Sequence, residues 1–68
     1  VNTIPTNPDI WKLAAEILTV KQLQVLTLRE QHGYSWNQIS ITLNLDRGTV
    51  RGHYTAATRK IYNHLNET

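Results

Sequence analysis

The chain contains no cysteine. Neither a disulfide framework nor a thiolate metal site can hold it together, so it must fold on packing alone or with help from a partner. That is demanding for 68 residues, a length near the lower limit for an unaided hydrophobic core and enough for one domain. The lack of cysteine is compatible with a reducing, cytoplasmic compartment. No apolar run approaches the ~18 residues of a membrane span, and no signal-peptide pattern is present. No membrane partner is expected. The chain has no initiator methionine, which fits a fragment or a processed chain. Glycine-rich phosphate loops and metal-ligand spacings are also missing. His53 and His64 share a side of one expected helix but stand about 16 Å apart by helical rise, too far for one metal to bridge. The chain's 5 carboxylates are dispersed and form no obvious acid–base pair. These absences point away from an enzyme and call for no cofactor and no metal.

The formal net charge is only +2, but its distribution is uneven. Lys12, Lys21 and Arg29 balance Asp9, Glu16 and Glu30 in the first half of the chain. In the second half Arg47, Arg51, Arg59 and Lys60 outweigh Asp46 and Glu67, and no acidic residue lies between Arg47 and Leu65. Such a local positive field attracts phosphate and steers association. A solvated helix face would carry the same charges.

The chain divides into an arm and a helical domain. Residues 1–6 are polar, contain Pro5 and follow no period, so a flexible N-terminal arm is expected there. The domain takes residues 7–68. Asn7, Pro8 and Asp9 form a helix start, with a cap, a first-position proline and an acid at the positive end of the dipole. Ile10, Leu13, Ala14 and Ile17 recur at helical spacing up to about Leu18, with Trp11 at the edge of their face. Thr19 followed three residues later by Gln22 is a capping box. It opens a second helix bearing Leu23, Leu26 and the flanking Val25. Gly33 tolerates the left-handed conformation that stops it. Ser35 and Gln38 repeat the capping-box spacing and open a short third helix with Ile39 and Leu43 inward. Asn44 serves as a left-handed stop, Leu45 plugs the turn, and Asp46 caps a fourth helix with Thr49 at its third position. That helix should run from Arg47 to about His64. No segment asks for a strand, and no internal repeat or low-complexity stretch appears. The fold class is all-α, a small four-helix domain.

The short connection from Leu43 to Arg47 forces its two flanking helices into a sharp angle, as in a helix-turn-helix. In that motif the second helix enters the major groove while the first crosses the backbone. At ~100° per residue, Val50, Tyr54, Ala57 and Ile61 fall within roughly 60° and form a core face. Gly48, Arg51, Gly52, Thr55 and Arg59 lie away from it. Arg47 and Arg51, near the helix start, are the best base-edge candidates, because arginine can pair with both acceptors of guanine. Phosphate contact or plain solvation is the alternative for each. Thr55 could touch a base or a thymine methyl. Gly52 should cost about 1 kcal/mol relative to alanine inside a helix. A bare backbone that can approach a base edge or phosphate gives it a reason; a neutral surface glycine gives it none. Gly48, in the first turn, is a weaker instance. Arg59 and Lys60, further along, suit phosphates. Ser35, Trp36 and Asn37 open the third helix, where backbone amides and the dipole can hold a phosphate. Trp36 is either a sugar–phosphate contact or a partly buried core residue. Thr49 could donate to a phosphate, with capping in competition. His53 belongs at the core boundary beside Tyr54, and Tyr34 in core or turn packing.

The stretch Leu18-Thr19, Val25-Leu26, Arg29, Gly33-Tyr34-Ser35, Gln38-Ile39-Ser40, Leu43-Asn44-Leu45, Asp46 and Thr49-Val50-Arg51 resembles bacterial sigma-factor region 4. The related LuxR-type DNA-binding domains share the pattern, including a histidine three residues after the valine, here His53. The resemblance covers residues 18–65. It implies a four-helix domain that docks its last helix in the major groove, with Arg47, Gly48, Arg51, Gly52 and Thr55 facing the bases. Ser40 stands where alanine is usual, and Asn44 where glycine is usual. No sigma region 2 accompanies the match, which suits a bacterial or phage accessory regulator, or a detached domain, better than a complete sigma factor.

The expected function is sequence-specific binding of double-stranded DNA in transcription regulation, in the cytoplasm. The alternative is an adaptor that grips RNA polymerase or another regulator, since region-4-like domains do both. A homodimer stays open: LuxR-like domains often pair, region 4 acts singly, and the first helix could supply either core or dimer surface.

Overall fold

The computed structural model describes residues 8–66. Four helices follow one another, α1 (Pro8–Ile17), α2 (Val20–Glu30), α3 (Trp36–Leu43) and α4 (Arg47–Asn66), with no strand among the described residues. The all-helical, four-helix expectation is met. The N-terminal arm and the Asn7 cap lie outside the described residues.

Local hydrogen bonds explain where the helices begin. Thr19 Oγ1 accepts the Gln22 N–H at 3.2 Å while Gln22 Oε1 accepts the Thr19 N–H at 3.1 Å. Ser35 and Gln38 make the same reciprocal pair at 3.1 and 2.9 Å. Each box meets donors that the first helical turn leaves without intrahelical partners. The α2 exit is looser than a stop at Gly33. The helix ends at Glu30, with Gln31 still right-handed at φ −89° and ψ −35°. The Gln31 and His32 amides then share the Thr27 carbonyl at 2.9 and 3.3 Å, and Tyr34 N–H reaches the Leu28 carbonyl at 3.0 Å. Gly33 supplies the left-handed step between them, at φ 69°.

α4 is the element on which the others pack: α1, α2 and α3 all contact it. One cluster joins Ala14, Leu26, Ala57 and Ile61, with Ile10, Trp11, Ile17, Leu18 and Leu23 against it. A second joins Val25, Ile39 and Val50, with Leu28, Tyr34, Trp36, Leu43 and Leu45 against it. Tyr54 touches both. Burying each large aliphatic side chain contributes about 1.5–3 kcal/mol, and no polar or charged described residue is buried with them. Val25, expected to flank its helix face, is instead fully buried. α2 packs on both α3 and α4, so its apolar stripe must be wider than one helix neighbour requires. Val50, Ala57 and Ile61 are buried in α4 as its wheel predicts, and His53 lies at the half-buried boundary. No helix among the described residues is long and apolar enough to cross a membrane.

Candidate nucleic-acid interface

The face of α4 opposite its buried stripe depends on a turn of three residues. Asn44 takes the left-handed conformation at φ 55° and ψ 46°. Its amide reaches the Ile41 carbonyl at 3.4 Å, and the Leu45 amide reaches the Ser40 carbonyl at 3.0 Å. These are the two bonds of a Schellman ending. The Ser40 hydroxyl adds a third bond by donating to the Leu45 carbonyl. Leu45 turns into the second core cluster. Asp46 then starts α4: its Oδ2 accepts the Thr49 N–H at 3.0 Å, and its Oδ1 accepts the Thr49 hydroxyl at 2.6 Å. These bonds from Thr49, the side chain's first, hold the Asp46 carboxyl below the usual carboxylate range.

Arg47, Gly48, Arg51, Gly52, Thr55 and Arg59 are all exposed. A Cβ on Gly52 would meet nothing within 4 Å, whereas one on Gly48 would lie 3.1 Å from Asp46 Oδ2. Protein packing therefore gives no reason for glycine at 52, while the cap leaves little space for a side chain at 48. Ser35 and Asn37 are exposed at the start of α3.

Four expected phosphate contacts carry other engagements. Ser35 donates its N–H to Gln38 Oε1 at 2.9 Å, and its hydroxyl oxygen accepts the Gln38 N–H at 3.1 Å. The Thr49 hydroxyl is taken by Asp46. Lys60 lies on the flank of α4 and donates from Nζ to Gln22 Oε1 at 3.0 Å, across to α2. Trp36 is half-buried and packs against the second core cluster, which favours the core alternative left open for it.

Around Trp36 lies a cluster that the sequence reading missed. Its ring meets Tyr54 edge-on, with centroids 5.1 Å apart and planes at 76°. The Arg29 guanidinium lies 4.3 Å from the Trp36 centroid and that of Arg51 lies 5.6 Å away. Arg29 Nη1 also donates to the Tyr34 carbonyl at 2.9 Å. The Tyr54 hydroxyl donates to Glu30 Oε1. Burial, then that bond and the Glu30 charge, push the Tyr54 phenol up to about 12. Trp36, Tyr54 and Arg51 were each singled out in the sequence and Arg29 entered as part of a resemblance, but nothing in their spacing joined them.

A separate shallow depression runs between α2 and α3, lined by Leu23, Gln24, Thr27, Leu28, Thr42 and Leu43. Ile41, next to it in the chain, is 73% exposed. No three His, Asp or Glu side chains among the described residues come together as a metal site. Comparisons of the chain with protein families, with characterised proteins and with solved structures returned no match.

Proposed function

We propose that this chain binds double-stranded DNA in a sequence-specific way, with α3 and α4 as a helix-turn-helix and α4 in the major groove. The observation that carries the reading is the outward face of α4. Arg51 and Arg59 stand exposed there, Arg47 is exposed at the helix start, and α4 carries no acid between Arg47 and Leu65. Gly48, Gly52 and Thr55 keep the spaces between these arginines low. In this reading Arg47 and Arg51 meet base edges, because the N-terminal part of a recognition helix is the part that reaches them. Arg59 and the α3 start at Ser35–Asn37 meet phosphates. A role in transcription regulation follows from the resemblance to sigma region 4 and LuxR-type domains, and it implies the cytoplasm.

The test is selection of bound duplexes from a random pool. An enriched sequence is expected, and its symmetry reports whether one copy or two bind. Arg51→Ala should then weaken the selected site more than random DNA; equal loss on both would reduce Arg51 to a phosphate contact. Failure to bind any duplex at low salt would overturn the reading.

A second reading is a protein adaptor that contacts RNA polymerase or another regulator. The depression between α2 and α3, lined in part by Leu23, Leu28 and Leu43, favours it. Salt separates the two: phosphate-driven binding weakens steeply as salt rises, whereas a mainly apolar contact does not.

A further inference from the structure

We propose that Trp36 is a positioning residue for Arg51, an aromatic platform that orients the Arg51 guanidinium toward DNA and on which its contribution to site preference depends. The proposal rests on the duplex-binding reading and adds to it a residue from another helix.

The platform is fixed on several sides. The Ser35–Gln38 box sets the start of α3, where Trp36 is the first residue. Tyr54 holds one edge of the ring at 5.1 Å and is itself tied to Glu30 at the end of α2. Arg29 approaches the ring at 4.3 Å and is anchored on the Tyr34 carbonyl. Of the groups around the ring, Arg51 alone is exposed. Its guanidinium carbon lies 5.6 Å from the ring centroid, within the range of cation–π attraction. Arg51 donates no hydrogen bond to the described residues, so its donors stay available to an outside acceptor. A planar guanidinium held against a ring gives up little further freedom when its donors are used. Lysine would keep the charge but lose the planar fork of donors.

The experiment has two arms. Side-chain NMR of the free protein reads the contact directly. The Arg51 δ and ε protons should be displaced by the ring current of Trp36, move toward ordinary values in Trp36→Leu, and stay displaced in Trp36→Phe. The second arm uses a duplex selected from a random pool by the native protein. Trp36→Leu should weaken it about two- to fivefold, the range of an exposed cation–π contact. The same change should do nothing in an Arg51→Ala background, and Trp36→Phe should largely restore affinity. Thermal unfolding of each variant separates loss of folding from loss of positioning. An undisplaced Arg51 signal, or an equal loss with and without Arg51, overturns the proposal. If no duplex is selected, the DNA reading and the site-preference claim fall together, while the resonance arm still decides whether the contact exists.

Discussion

Ser40 holds both polar backbone groups of Leu45: the Ser40 carbonyl accepts the Leu45 N–H at 3.0 Å, and the Ser40 hydroxyl donates to the Leu45 carbonyl. The connection between α3 and α4 is thus closed from the α3 side. Asp46 closes it from the α4 side by capping onto Thr49. The direction in which α4 leaves the turn, and with it the orientation of the Arg47–Arg59 face, is set between these two locks.

Removing the Ser40 hydroxyl leaves a half-buried carbonyl short of one donor. Ser40→Ala is therefore expected to cost about 1 kcal/mol, the ordinary net value of such a bond. For a domain of this size that lowers the melting temperature by roughly 4–8 °C. Thermal unfolding checks it. An unchanged midpoint would mean that the Leu45 carbonyl finds water just as well, and that the Schellman bonds suffice to hold the turn.

Gly52 invites the opposite change. Its helix position penalises glycine by about 1 kcal/mol relative to alanine, and an added Cβ meets no atom within 4 Å. Gly52→Ala should raise stability by about 0.4–1 kcal/mol. If α4 lies in the groove as proposed, the same methyl should weaken binding to a selected duplex. Urea unfolding and duplex titration on one sample read both quantities. A gain in both would take Gly52 out of the interface. Gly33→Ala is the control, since φ 69° makes a side chain there strained and stability should fall.

What was legible in the sequence was local. Thr19 with Gln22, Ser35 with Gln38, and Asp46 with Thr49 are partners three residues apart, so the spacing that suggests each cap is the spacing that forms it. The buried stripe of α4 follows from helical periodicity in the same way. The links between helices have no such period. Tyr54 and Glu30 are 24 residues apart, and Lys60 and Gln22 are 38 apart. Only the packing of α2 on α4 brings them together. Trp36 was ambiguous for the same reason. Its sequence neighbours place it at an exposed helix start, and Tyr54 from another helix makes it part of the core. The outward face of α4 was readable as a surface, and so was the claim of the Asp46 cap on Thr49, but the occupation of Lys60 by Gln22 was not.

The Tyr54–Glu30 link predicts an alkaline limit to stability. Burial first, and then the bond to Glu30, raise the phenol from 10.0 to about 12. The folded chain therefore keeps this proton where the unfolded chain releases it. The resulting stabilisation is complete below pH 10, declines as pH rises above it, and is gone once pH has passed through about 12. Solvent screening at this partly exposed ring keeps its size modest. Tyr54→Phe should be less stable than the native chain at neutral pH and should lack this part of the alkaline decline. Denaturant midpoints across that range, native against variant, measure it. Parallel curves would mean that the Tyr54 phenol titrates alike in the folded and unfolded chains.

Arg59 and Lys60 are adjacent basic residues that the structure treats differently, and salt dependence can tell them apart. Arg59 is exposed on the outward face of α4, whereas Lys60 reaches back to Gln22 on α2. A side chain that neutralises one phosphate adds about 0.9 to the slope of log affinity against log salt. Arg59→Ala should lower the slope by about that amount across all duplex sequences. Lys60→Ala should leave the slope near its native value and instead loosen the contact between α2 and α4, visible as a lower melting temperature. Equal losses of slope from both variants would mean that Lys60 abandons Gln22 when DNA arrives. An unchanged slope in Arg59→Ala would shorten the DNA-facing part of α4 to the stretch between Arg47 and Thr55.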